Sequence, residues 1–182
     1  VQIETSYLWI RVSAGEFHNL AIRNDNTLWT SGRNNYGQLG NSTVLSETDL
    51  HFYFTQVGTD TWSSASAGGY HTIAIKTGST ELWTWGDNQY GQLGNGMITE
   101  KHVPIKESDD HNWSSMSGGG NHTVAIKTNG ELWSWGNNEN GQLAQGDADF
   151  ITTIHVQESV KGNWNSVTTG FTHTAAIKSD GT

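Results

Sequence analysis

Apolar and polar positions alternate with period two over short stretches of this chain, and no segment holds a helical period. His122-Thr123-Val124-Ala125-Ile126-Lys127 and Glu131-Leu132-Trp133-Ser134-Trp135 are rich in β-branched and aromatic residues, the chemistry of half-buried strands. Between them lies Thr128-Asn129-Gly130, a turn signal that joins two such runs as a hairpin. Side chains alternate across a strand, so Trp133 and Trp135 are predicted on one face of the hairpin and Leu132 and Ser134 on the other. A strand is predicted before it over 113–117. Another follows at Ile154-His155-Val156, matched elsewhere by Thr55-Gln56-Val57 and Val103-Pro104-Ile105. Four short strands make the unit.

The unit recurs. A tryptophan followed nine positions on by histidine, and then by Ala-Ile, occurs at Trp9/His18, Trp62/His71, Trp113/His122 and Trp164/His173, with the tryptophans 53, 51 and 51 residues apart. The parts keep one order: W-x-S-x-S-x-G-x-x-H-T-x-A-I-K, then E-L-W-x-W-G, then N-x-x-G-Q-L-G, then a variable stretch. Four-stranded units of this length, with tryptophan and glycine at fixed phase, are the signature of β-propeller blades. The expected fold is therefore all-β: a single partial propeller domain over 1–182, with repeats at approximately 1–53, 54–104, 105–155 and a truncated 156–182. That is about three and a half blades. Most of the 22 glycines fall at repeat positions. Gly37, Gly91 and Gly141 sit where a tight turn needs positive φ.

Joined together, G-x-x-H-T-x-A-I-K-x-x-G-x-L-W-x-W-G-x-N-x-x-G-Q-L-G resembles the repeat of the regulator-of-chromosome-condensation family over essentially the whole chain, and its compact spacing is similar to bacterial and viral members. The copies depart from the pattern in places. Repeat one has Thr30-Ser31-Gly32 instead of the second tryptophan, repeat two has one extra residue in Thr77-Gly78-Ser79-Thr80, and repeat three ends Gln142-Leu143-Ala144. The resemblance implies a seven-bladed propeller. It also implies two functional alternatives: a small-GTPase nucleotide-exchange regulator, as the founding eukaryotic member is, and a proteinaceous enzyme inhibitor, as a bacterial member is of β-lactamase.

Length then sets an expectation about the ring, because seven blades of this spacing need about 357 residues and the chain has 182. The remainder is expected from the same longer chain or, alternatively, from a second copy. The chain carries a formal net charge of −9 with nine Lys and Arg, which argues against a nucleic-acid surface. Cysteine is absent, which removes disulfides and thiolate chemistry from these residues. No run is long enough to span a membrane as a helix.

Candidate chemistry is sparse. His18, His71, His122 and His173 recur at one blade position, which spreads them around a ring, whereas metal ligands must converge. They are expected to be structural, as are Trp83, Trp85, Trp133 and Trp135, which repeat as packing between blades requires. Function is sought where blades differ, in the loops after G-Q-L-G. There Asp49-Leu50-His51-Phe52-Tyr53-Phe54 combines acids with aromatics. Alternation predicts Phe52 and Phe54 inward, with Asp49, His51 and Tyr53 as partner-binding candidates. Asp109-Asp110-His111 and Asp147-Ala148-Asp149 have the oxygen character of calcium ligands, but neither completes a calcium loop; they too are partner-binding candidates. No catalytic set, metal site or cofactor is predicted. The expected function is a non-enzymatic scaffold that binds a protein or glycan through blade-connecting loops. The Asn/Thr/Ser/Gly/Trp-rich composition suggests an extracellular or virion setting and leaves a cytoplasmic one open.

Overall fold

A computed structural model describes residues 7–43, 50–108, 112–145, 150–157 and 162–182. The described residues form strands and no helix: β1 (Trp9–Ala14), β2 (His18–Arg23), β3 (Thr27–Arg33), β4 (Leu50–Ala67), β5 (His71–Lys76), β6 (Leu82–Gly86), β7 (Lys101–Lys106), β8 (Trp113–Gly118), β9 (His122–Lys127), β10 (Leu132–Asn137), β11 (Ile151–Gln157), β12 (Trp164–Thr169) and β13 (Thr174–Lys178). Every pairing is antiparallel between chain neighbours. The hairpin at 128–130 closes with Gly130 at φ +81°, a left-handed conformation that a side chain would strain.

Four blades result. The first is β1, β2, β3 and the outer half of β4; the second is the inner half of β4 with β5, β6 and β7. The third is β8 to β11, and β12 with β13 begins the fourth. Strand β4 serves two blades because it leaves the rim of one and runs on into the centre of the next. The passage between blades therefore falls between Val57 and Trp62, between Lys106 and Trp113, and between Gln157 and Trp164. The outer strands β4, β7 and β11 run past positions 53, 104 and 155 to complete their pairing with the third strand.

The core lies between blades. Trp62, Ala74 and Trp85 of the second blade pack on Leu20, Ile22, Leu28 and Val57 of the first. Trp113, Ala125 and Trp135 of the third pack on Ile75 and Leu82 of the second. Trp164, Val167 and Ala176 of the fourth pack on Val124, Ile126 and Leu132 of the third. Each blade thus has a tryptophan face and an aliphatic face, and the blades stack head to tail. Within the tryptophan face Trp62 lies edge-on to Trp83 at 6.1 Å and 5.8 Å from Trp85, and Trp113 repeats this with Trp133 and Trp135 at 6.4 and 6.0 Å. A cation closes the stack from outside: Lys76 Nζ is 4.9 Å from the Trp83 ring and Lys127 Nζ 4.2 Å from that of Trp133, an attraction to the ring's negative face.

The outer strands of the first three blades each bulge at one place. Strand β4 takes four steps from His51 to Thr55 while β3 takes two from Gly32 to Thr30; β7 and β11 do the same opposite β6 and β10. Bulges re-aim side chains. Here they bring His102 and Thr153 against the turn of the preceding blade, so close that a Cβ on Gly37 or Gly91 would lie 2.5 or 2.7 Å from their backbones. Phe52 holds the equivalent bulge position in the first blade. The expectation that Phe52 and Phe54 point inward is corrected: they are 80% and 41% exposed, and Tyr53 is 85% exposed. Alternation does not run through a bulge, and no described residue packs in front of the first blade at Phe52.

Trp85→Ala is expected to lower stability by about 3–5 kcal/mol, because the site cannot collapse between two rigid sheets. Tyr53→Ala should fall within about 0.5 kcal/mol of the parent. Thermal melts of the two variants check the contrast, and equal losses would overturn this account of the core.

Candidate interaction face

A polar belt runs through each apolar interface. His18 Nε2 lies 2.8 Å from Thr72 Oγ1, His71 Nε2 2.9 Å from Thr123 Oγ1 and His122 Nε2 3.1 Å from Thr174 Oγ1, each pair joining adjacent blades. Each threonine hydroxyl donates at 2.8 Å to a carbonyl of the preceding blade, those of Gln38, Gln92 and Gln142. A hydroxyl has one hydrogen, so each histidine is the donor at Nε2, and its neutral tautomer is thereby set. The indoles of Trp85 and Trp135 donate to the same Gln38 and Gln92 carbonyls at 3.0 and 2.9 Å.

The three rings are fully buried. Loss of hydration lowers the pKa of His18 to about 4 and that of His122 to about 4; His71, with His18 and His122 adding to the effect, falls to about 3, all from an ordinary 6.5. Glycine makes room for them: a Cβ on Gly68 or Gly119 would lie 2.2 or 2.1 Å from Cε1 of His71 or His122. The rings serve successive interfaces instead of one centre, and among the described residues no group of three or more His, Asp or Glu is placed to hold a metal.

The connections β1–β2 and β3–β4, and their equivalents, emerge on one side of the propeller because the strands alternate in direction. The turns there are rigid. Leu39 N donates to Asn34 Oδ1 at 2.8 Å, and Tyr36 N to Gln38 Oε1 at 2.9 Å; Asn88 with Gln92 and Asn138 with Gln142 repeat the arrangement. Thr30, Thr84 and Ser134 hydroxyls tie the turns to the third strands through the carbonyls of Leu39, Leu93 and Leu143. Gly37, Gly91 and Gly141 lie in these turns at φ +78°, +75° and +74°.

On this support the first two blades carry an aromatic cluster. Phe17 and Tyr70 stack at 4.8 Å, Tyr36 meets Tyr70 edge-on at 5.1 Å, and Arg33 Cζ lies 4.5 Å over the Phe17 ring. All four side chains are half-buried and Glu16 beside them is exposed. Partial burial raises the Tyr70 pKa, the Glu16 charge adds to it, and Arg33 opposes it. Motif reading missed this cluster because its members occupy the unspecified positions of G-x-x-H and N-x-x-G-Q-L-G. A signal was present: those positions hold Phe17 and Tyr70, and Tyr36 and Tyr90, in the first two repeats, but Asn121, Thr172 and Asn140 in the later ones.

The other sequence candidates are dispersed. His51 is half-buried and Tyr53 exposed on the rim of the first blade, while Asp49, Asp109, Asp110, His111, Asp147 and Asp149 lie outside the described residues. Trp85 and Trp135 are fully buried between blades, Trp83 and Trp133 half-buried at their edge, and His173 is exposed on the last one.

Stacked four-stranded sheets, a Trp–aliphatic interface and glutamine-braced turns define a β-propeller of the repeat-built class. The Regulator of chromosome condensation (RCC1) repeat matches residues 25–75, 80–126 and 129–177, and a second description of that repeat matches 9–38, 62–92 and 113–142. The chain belongs to this family. It is 31% identical over 181 residues to the ultraviolet-B receptor UVR8 of Arabidopsis thaliana, covering 93% of this chain and 39% of that protein. Its fold matches human WBSCR16 with a TM-score of 0.84 at 22% identity, over 96% of this chain and 46% of that one. It also matches Prp20p of Saccharomyces cerevisiae with a TM-score of 0.83 at 21% identity, over 92% of this chain and 43% of that one. At those identities the two structures show a shared fold, and the chain spans less than half the length of each of the three proteins.

The belt generates a pH dependence. Histidines with folded pKa values of about 3 to 4 stay neutral where the unfolded chain takes up protons, so their contribution is fully present above pH ~6.5 and is lost as pH falls below it. Each adds a slope of up to about 1.4 kcal/mol per pH unit in that window. Denaturant midpoints between pH 7.5 and 5 should fall steeply for the parent and less steeply for His71→Gln. Identical slopes would sink the assignment of neutral, Nε2-protonated rings.

Proposed function

We propose that this chain is a protein-interaction module that docks its partner on the loop-bearing face through Phe17, Tyr36, Tyr70 and Arg33. The observation that carries this reading is the cluster itself. Aromatic rings and arginine supply most of the energy of protein interfaces, and rings already held by one another lose little freedom on binding. Phe17 and Tyr70 stand at a position that the later repeats fill with Asn121 and Thr172, where packing would have kept one residue type. The −9 formal charge, with Glu16 beside the rings, favours a partner with a basic rim.

One similar structure supports a protein as the partner class. Prp20p is described with binding properties to Gsp1p and histones. Nucleotide exchange on a small GTPase and inhibition of an enzyme are both forms that docking on this face would take. The binding test uses purified Gsp1p and core histones alongside extract from the native source, with the Tyr36→Ala/Tyr70→Ala double variant and Tyr53→Ala as the control. A partner retained by the parent and the control should bind the double variant at least about 30-fold more weakly, with the thermal melt of the free protein little changed. Full retention by the double variant would rule out this face.

A further inference from the structure

A different surface, near the start of the inner strands, holds a cation without a counterpart. Arg23 stacks on Trp9 and Trp29, Arg33 on Phe17, and Lys178 on Trp164. Lys76 pairs with Asp60 and Lys106 with Glu81, and Lys127 lies over Trp133. Arg11 has no ion pair, ring contact or hydrogen bond among the described residues. It lines a groove of about 550 Å³ together with Ser63, Ser64, Ser114, Ser115 and Met116, and no carboxylate is among the described residues that line it.

The repeat shows which of these groups are available. Arg11 stands two positions after its tryptophan, where the other blades have Ser64, Ser115 and Ser166. In each of the first three inner strands the register shifts just before this position, so the bulge presents the same phase of three adjacent strands. Ser63 Oγ donates to Ile75 O at 3.1 Å and Ser114 Oγ to Ile126 O at 2.9 Å, which engages both hydrogens inside their own blades. Ser64 Oγ meets only Met116 Sδ, at 3.6 Å, and sulfur is a weak acceptor. Ser115 Oγ has no partner among the described residues. One guanidinium, one hydroxyl held only by a sulfur and one hydroxyl without a partner among the described residues therefore line one groove in a chain of net negative charge.

We propose that this groove is an oxyanion site, in which the Arg11 guanidinium takes a carboxylate or phosphate by its two-pronged fork and the Ser64 and Ser115 hydroxyls donate to the same group. Planar guanidinium matches two oxygens of either anion. Free phosphate and the carboxylate of an acidic peptide present the same chemistry, and the test separates them.

Arg11→Ser installs the residue that the repeat itself carries at this position, so the fold is retained while the fork is removed; Ser115→Ala removes one hydroxyl. The parent and both variants are titrated at constant ionic strength with inorganic phosphate and, separately, with an Asp-Asp-Asp peptide, following the Arg11 Nε–H and the Ser64 and Ser115 amides by NMR. The parent should saturate with at least one probe, Arg11→Ser should bind about tenfold or more weakly, and Ser115→Ala should fall between them. Saturation by phosphate alone assigns the site to the free ion, and saturation by the peptide assigns it to a partner's carboxylate. No saturation with either probe, or equal binding by Arg11→Ser, would overturn the site.

Discussion

Everything in this molecule depends on the stacking of one blade's tryptophan face on the next blade's aliphatic face. A four-stranded sheet has two faces and little interior, so it buries neither by itself. Trp62 and Trp85 against Leu20, Ile22 and Leu28, then Trp113 and Trp135 against Ile75 and Leu82, turn that deficit into a continuous core. The two faces differ, so the contact is directional and propagates in one sense around the propeller axis.

The polar belt makes this stacking specific. Burying imidazole, hydroxyl and carbonyl inside an apolar contact is costly unless each donor meets an acceptor. The chain pairs these donors across blades: Thr72 Oγ1 accepts a hydrogen bond from His18 Nε2–H and donates to the Gln38 carbonyl, which also accepts from the Trp85 indole N–H. A sheet displaced by one residue would strand all of these groups at once. Oily faces alone would tolerate sliding, and the belt fixes the register between sheets. Glycines at the histidine rings follow from the same demand, since a Cβ on Gly68 or Gly119 would occupy the space the ring requires.

With packing assigned to the repeated positions, the unspecified ones are free to differ. Phe17, Tyr36 and Tyr70 gather because Phe17 and Tyr70 come from adjacent blades at one phase and Tyr36 comes from a turn braced by Asn34 and Gln38. Arg11 replaces a serine at a position the core does not use. Arg11 departs from the repeat in one blade and the aromatic cluster in two, each mounted on the repeated scaffold, which is how a periodic fold acquires a local site.

The four-stranded blade, the hairpin at 128–130 and the faces of Trp133, Trp135 and Leu132 were legible in the sequence because they are local: period two, turn chemistry and repetition determine them within a few residues. Gly37 and Gly91 were legible as turn residues, but not as the places where His102 and Thr153 of the next blade press in. Phe52 and Phe54 were misread because a bulge interrupts alternation, and a bulge is set by the pairing of β3 with β4, not by either strand alone. The aromatic cluster was invisible for a related reason. Its members lie far apart along the chain and meet only once sheets stack, so their proximity belongs to tertiary structure, which alone brings residues of the same phase in successive repeats into contact.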